Sequence, residues 1–396
     1  MKVSQLTARI AGEGAAAWNI HYRAMARQQA GDDITVLSVG DPDFTTPARI
    51  MDAARDSLYA GNTHYADVQG KQALREAIVD HYRKYDVDAS ADQLIVLAGA
   101  QCGLYATAQC LLDPEDEVIV PEPGYVTYEA VIQSTGASLV QVPLRADNGF
   151  QLDVADITAA ITPKTRAILL NSPHNPTGTS IGPEQWQTIA ELCRAHDLWL
   201  ISDEVYADLV FDGSHTCAAS LAGIEDRTVV ISSLSKSHAM TGWRLGWVMA
   251  PPALIGHLSN LALCMLYGCP DFIQDAGIAA LKGDHGELEV MRDAYRQRRD
   301  AVCQALAHSD AVTAICPDAG MFVMVDIRRT GLSSAEFADR LLDEHGISAL
   351  SGEAFGPSAA GFIRLSLTQS PERLTQASLR LRQCAEACLS TSSECL

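Results

Sequence analysis

Lys236 stands in Ser233-Leu234-Ser235-Lys236-Ser237-His238-Ala239-Met240-Thr241-Gly242-Trp243-Arg244-Leu245-Gly246, directly after the apolar run Thr228 to Ile231. The pattern puts an amine just past a buried strand, with hydroxyls before it and an arginine after it. Burial near other cations lowers a lysine's pKa and frees its lone pair, so such an amine can form an imine with a carbonyl cofactor. Ser233, Ser235 and Arg244 fixed beside it make a clamp for phosphate. Together they describe a lysine carrying pyridoxal 5'-phosphate (PLP). The spacing alone suits an ordinary lysine in a serine-rich loop equally well.

Other runs supply matching parts. Gln93 to Leu97 reads as a strand, followed by Ala98-Gly99-Ala100-Gln101-Cys102-Gly103 and a helical pattern from Leu104 to Leu112. A strand, a small-residue turn and a helix start present free backbone N–H groups to an anion, although small residues there also serve tight packing. Leu198 to Ser202 is another apolar run, ending in Asp203 with Tyr206 close behind. An acid at that place can keep a pyridine nitrogen protonated, and the tyrosine can donate to a phenolic oxygen. A helix-capping aspartate with a core tyrosine is the plainer alternative. Asn171-Ser172-Pro173-His174-Asn175-Pro176-Thr177-Gly178 holds two X-Pro bonds, which stiffen the loop and admit cis isomers, whether it serves Asn175 or a surface turn. Arg364 sits inside the alternating run Phe362 to Leu367. Its planar fork fits a substrate carboxylate, or else faces solvent from an edge strand.

Taken in order, these motifs resemble the fold-type I PLP enzymes, specifically the class I and II aminotransferases. The likeness runs through Gly40-Asp41-Pro42-Asp43-Phe44-Thr45-Thr46-Pro47, Tyr65, Gly70-Lys71-Gln72-Ala73-Leu74-Arg75, Asn175-Pro176-Thr177-Gly178, Asp203-Glu204-Val205-Tyr206, Ser233 to Arg244, and Arg364. Ala11-Gly12-Glu13-Gly14-Ala15-Ala16-Ala17-Trp18, His21-Tyr22-Arg23-Ala24, the stretch 262–268 and the stretch 320–327 resemble the arginine–pyruvate branch.

The resemblance implies a role for each matched residue. Lys236 carries PLP and moves the proton at Cα. Arg364, with Gly40 and Asn175, holds the substrate α-carboxylate side. Asp203 faces the pyridine nitrogen, Asn175 and Tyr206 face the phenolic oxygen, and Tyr125 stacks on the ring, although Pro121 to Tyr125 also reads as a turn with a core aromatic. Ser233, Ser235, Arg244 and the backbone at Gly99, Ala100 and Gln101 grip the phosphate. Tyr65 crosses a homodimer interface to the phosphate of the other subunit. The implied reaction is a ping-pong transfer of an amino group from an amino acid, L-arginine in this branch, to a keto acid, pyruvate. Donors of aromatic, aliphatic or aspartate type, or carbon–sulfur lyase chemistry, use the same site. Aspartate-specific relatives carry a basic residue where this chain has Gln101, which speaks against an aspartate donor. Glu13, Asp43 and Asp67 are acids considered for a guanidinium, each by default a solvated charge.

A chain of 396 residues with 47% hydrophobic and 20% charged content has the size and composition of a globular protein of two domains. The formal net charge of -20 disfavours nucleic acid and anionic membranes and mildly favours cationic ligands. It also disfavours a PLP-binding transcription regulator, which needs a basic DNA-binding domain. No run suggests a membrane span or a signal peptide. Eleven cysteines lack zinc or redox spacing and read as reduced thiols of a cytoplasmic protein. No metal is expected.

Seven apolar runs alternate with helical patterns: 94–98, 117–121, 138–143, 166–170, 198–202, 228–232 and 245–250. That order predicts an α/β fold, a mainly parallel seven-stranded sheet flanked by helices, with ligands beyond the carboxyl ends of the strands. The expected large PLP-binding domain is residues 50–285. Residues 1–49 and 286–396 form a smaller α+β domain with an N-terminal arm, entered by a helix over 287–308. The tail from Ser390 is expected to fray.

Overall fold

The apolar runs form one sheet in the computed structural model, which describes residues 2–11, 18–283 and 286–393, with side chains to 389. Its strands are β1 (Leu94–Leu97), β2 (Glu117–Glu122), β3 (Ser138–Pro143), β4 (Thr165–Asn171), β5 (Trp199–Asp203), β6 (Thr228–Ser233) and β7 (Gly246–Met249). The spatial order is β1-β7-β6-β5-β4-β2-β3. Side chains alternate across the sheet, yet both faces are apolar. Ile95, Leu97, Val118, Val120, Leu169 and Ile231 enter one core, and Leu94, Val96, Ile119, Ile168, Leu170 and Val230 enter the other. Helices on both sides cover them, which is why these strands read as continuous apolar runs. All neighbours are parallel except β7, which runs antiparallel to β1 and β6. The short link 234–245 holds the lysine turn and leaves no length for a crossover helix, so the chain folds straight back.

A second sheet is antiparallel throughout, in the order β10-β11-β9-β8: β8 (Thr313–Ile315), β9 (Phe322–Asp326), β10 (Leu350–Ser351) and β11 (Phe362–Ser366). Helices Gly286–Leu306 and Pro371–Ser393 bury Tyr295, Val302, Leu374 and Leu381 against Val323, Val325, Ile363 and Leu365. Leu37 joins that core, and Thr35–Val36 pairs in parallel with Ile347–Ser348.

Two expectations are corrected. Residues 390–393 continue the last helix rather than fray, while 394–396 lie outside the described residues. Cys303 on the helix Gly286–Leu306 and Cys316 just past β8 are joined in a disulfide, because helix and strand lie side by side with their Cα atoms 6.2 Å apart. Cys102, Cys110, Cys193, Cys217, Cys264, Cys269 and Cys384 are free thiols, and Cys264 among them is exposed. Among the described residues, no helix is long and apolar enough to cross a membrane, and no group of three or more His, Cys, Asp or Glu side chains is placed to hold a metal.

Candidate active site

Strands β4, β5 and β6 and the turn after β1 open at their carboxyl ends into one cavity of about 330 Å³. Phe322 of β9, Leu350 of β10 and Arg364 of β11 wall it from the second sheet. The site therefore lies between the two sheets, and its charged groups come from both.

Lys236 follows the end of β6, and its Nζ donates to the Gly40 carbonyl at 2.6 Å. Burial lowers its pKa to about 8; Asp41 at the rim pulls it back up, and Arg364 and Arg244 push it further down. An amine in that range is partly neutral near neutral pH, as nucleophilic and proton-transfer work requires.

Asp203 is the last residue of β5 and is 4% exposed. Its carboxylate accepts from Tyr128 Oη at 2.8 Å and from the Val205 amide at 3.3 Å. Burial still raises its pKa to about 6. No ion pair joins it to a described cation of the chain, so the geometry suits a cation supplied from outside, such as a protonated ring nitrogen. Asn171 at the end of β4 ties the neighbouring loop down: its Nδ2 donates to the Asp203 carbonyl at 2.8 Å and its Oδ1 accepts from the Asn175 amide at 2.7 Å. Ser172–Pro173 and Asn175–Pro176 are cis.

Arg364 is buried and donates to Asn175 Oδ1 at 3.0 Å and to the Ser38 carbonyl at 3.1 Å. Its guanidinium lies over Phe322 and Phe355, 3.9 and 4.6 Å from the ring centres. Among the described residues its Nε has no partner, and burial lowers its pKa to about 10. A buried guanidinium walled by aromatics, with no carboxylate among the described residues paired to it, is prepared for a ligand's carboxylate.

The opposite end of the cavity suits a phosphate. The helix Ala100–Leu111 starts at Gly99, whose φ is +83° and whose missing Cβ leaves room for the Arg244 guanidinium. No side chain caps that helix, so its first amides are open to an anion. Ser233 and Ser235 lie alongside, and Arg244 is braced on the carbonyls of Thr241 (2.8 Å) and Ala98 (3.3 Å).

Of the residues singled out from sequence, Gly40, Ala100, Gln101, Tyr125, Asn175, Asp203, Tyr206, Ser233, Ser235, Lys236, Arg244 and Arg364 line this one cavity, and Gly99 caps its helix. Tyr65 does not: it is 85% exposed and packs against Tyr267, with ring centres 4.8 Å apart and the planes tilted by 57°. Of the acids considered for a guanidinium, Asp43 and Asp67 do not line the cavity either. Asp43 is an exposed charge that also pairs with Arg298 at 2.7 and 2.9 Å, the Arg298 side chain being buried beneath it. Asp67 is exposed and accepts from the Gln69 amide, and Glu13 lies outside the described residues. Sequence reasoning missed Trp18, Asp41, Tyr128, Asn171, Phe322 and Phe355, all of which line the cavity. Tyr128 stood one helical turn beyond Tyr125, and Asn171 ended the strand before the proline loop. Phe322 and Phe355 carried no local signal.

Comparison with known proteins agrees with this geometry. The family description "Aminotransferase class I and II" matches residues 32–381. The arginine–pyruvate transaminase of Pseudomonas aeruginosa is 61% identical over 386 residues, covering 97% of this chain and 98% of that one. An aspartate aminotransferase of Pyrococcus horikoshii is 35% identical over 359 residues, 90% of this chain and 91% of that one. The solved aspartate aminotransferase of Thermus thermophilus with maleate superposes with a TM-score of 0.91 at 31% identity, over 97% of this chain and all of that one. With Lys236, Asp203 and Arg364 meeting in one cavity of the fold these relatives share, the chain belongs to the class I and II aminotransferases.

Proposed function

We propose that the protein binds PLP at Lys236 and moves the α-amino group of L-arginine to pyruvate in a ping-pong cycle. The observation that carries the cofactor and the chemistry is the unpaired set in one cavity: an acid without a cation, a guanidinium without an acid, and an amine of lowered pKa. When bound, PLP supplies an aldehyde that condenses with amines and a ring that takes up the electron pair left at the donor's Cα.

The chain's residues do the rest. Ser233, Ser235, Arg244 and the amides at Ala100 and Gln101 hold the phosphate. Asp203 keeps a proton on the ring nitrogen, and Tyr125 covers the ring face. Asn175 Oδ1 accepts from Arg364, which leaves the Asn175 Nδ2, with the Tyr206 hydroxyl, for the phenolic oxygen. Arg364 fixes the donor's α-carboxylate and so sets the direction of the Cα–H bond. Lys236 Nζ takes that proton, and Gly40 is at hand to hold the amine in place through its carbonyl.

The arginine and pyruvate assignments rest on the 61% identity with the Pseudomonas aeruginosa enzyme. They are helped by a formal charge of -20 and by Gln101, whose Oε1 accepts from the Thr127 hydroxyl at 2.9 Å and which brings no cation for a second carboxylate. Initial rates for all amino acids with pyruvate test it. Arginine should lead, and a higher kcat/KM for aspartate or an aromatic donor would remove the assignment while leaving the aminotransferase standing. Ammonia released from cystathionine would instead favour the lyase reading.

The protein also acts as a cytoplasmic homodimer in this reading, with Tyr65 reaching the partner's phosphate. Tyr65 and Tyr267 stand exposed near Leu263 and Met265, a patch that suits burial in an interface. Free thiols such as Cys193, Cys217, Cys269 and Cys384 suit a reducing compartment. The large domain is residues 50–285, with 1–49 and 286–396 as the smaller one.

A further inference from the structure

We propose that Glu122 is a positioning residue for substrate carboxylates, acting through Ser358, Phe355 and Arg364. Glu122 ends β2 on the large sheet and is 4% exposed. It does not line the cavity. Its carboxylate instead reaches the segment between β10 and β11, accepting from the Ser358 amide at 2.7 Å and the Ser358 hydroxyl at 2.5 Å. A second tie runs alongside, from the Gly124 amide to the Phe355 carbonyl at 2.8 Å. Between them Gly356 takes φ +135°, and any Cβ there would fall on the Glu122 carboxylate. The acid and the segment are built against each other at glycine contact.

What this seam holds is one wall of the carboxylate pocket. Phe355 lines the cavity and lies 4.6 Å below the Arg364 guanidinium. Arg364 is otherwise held by Phe322 at 3.9 Å and by its hydrogen bonds to Asn175 and Ser38. Releasing Glu122 lets Phe355 drift, and the guanidinium loses one of the two aromatic faces that orient it towards an incoming carboxylate. Burial raises the Glu122 pKa, while the two Ser358 donors favour the ionised form. A charged acceptor of two hydrogen bonds is worth more than a neutral one at the same place.

The inference rests on the reading of Arg364 as the α-carboxylate anchor, and it applies to whichever amino acid is the donor. The contact is the same before and during the chemical step, so its loss weakens binding of every substrate without slowing the step itself. Glu122→Gln keeps the shape but replaces the carboxylate. It should raise KM for the amino donor and for pyruvate alike, by about 5- to 20-fold, with kcat within about two-fold and PLP affinity unchanged. Ser358→Ala, which keeps the amide donor, should do the same more weakly. The double variant should be no worse than Glu122→Gln, because both break one link. Amide hydrogen exchange should speed up over 352–359 and not around Lys236. Arg364→Ala is run in parallel: if it leaves KM untouched, the anchor reading has failed. If it raises KM while both seam variants leave KM and exchange at the wild-type level, the inference about Glu122 is overturned. A lower kcat with unchanged KM, or lost PLP binding, overturns it equally. Should Glu122→Gln not fold, Ser358→Ala decides by the same readings.

Discussion

Tyr128 Oη donates to Asp203 Oδ2 at 2.8 Å, in the cavity wall where both side chains are nearly fully buried. Burial above all, with a smaller push from the Glu204 charge, raises the Asp203 pKa, and this hydrogen bond is the first influence that pulls it back. Tyr128→Phe removes the donor and keeps the ring. The carboxyl should then ionise about one unit higher, from the loss of one hydrogen bond to a charged acceptor. The shift is read in the protein without cofactor, where the fall of stability with rising pH should extend to higher pH by a similar amount in urea unfolding. An unmoved window would mean that Tyr128 does not tune this acid.

Asp203→Asn should lower turnover by about 10²-fold or more, because an amide cannot stabilise a protonated ring nitrogen. Cofactor binding should change far less. A variant with near-normal turnover would remove Asp203 from its assigned place.

The same substitution makes a stability prediction for the protein without cofactor. Asp203 titrates at about 6 when folded, above about 3.9 for an unfolded aspartate. Below the unfolded value it is protonated in both states and costs nothing. As pH rises towards 6, the unfolded chain releases the proton and the folded one keeps it, so stability falls, then levels off above 6. The wild type should lose about 2–3 kcal/mol over this window relative to Asp203→Asn. Urea unfolding of both proteins between pH 4 and 8 measures the difference, and parallel curves would contradict the raised pKa.

Lys236→Ala should abolish turnover yet still bind PLP without a covalent link. Borohydride reduction of the wild type, followed by peptide mapping, should find the adduct on Lys236. A reduced adduct on another lysine would displace it from the mechanism.

Arg364→Ala should impair every amino acid tested, since each presents the same α-carboxylate. The preference for arginine over leucine, roughly 10- to 100-fold from one partly exposed charge contact, should survive in the variant. A loss confined to arginine would show that Arg364 meets the side-chain end instead.

Local sequence carried much of this molecule. Runs such as Val229 to Ile231 are apolar on both faces, and only a sheet covered on both sides hides them. Residues that follow such runs, Gly99, Asn175, Asp203 and Lys236, must then gather at one sheet edge, because parallel strands end on the same side. The sequence alone therefore determined the α/β class, the lysine turn and the acid opposite it. It did not say where Arg364 would point, since β11 belongs to a different sheet and only the packing of the two sheets puts its guanidinium over Phe322 and Phe355. Nor did it pair Tyr128 with Asp203, distant in the chain and brought together only by the order of β2, β4 and β5 in the sheet. The disulfide from Cys303 to Cys316 likewise came from a helix lying along a strand. Strand periodicity is set by neighbours within a few residues, whereas each of these contacts depends on how separate elements lie against one another, and that is decided by the whole core at once.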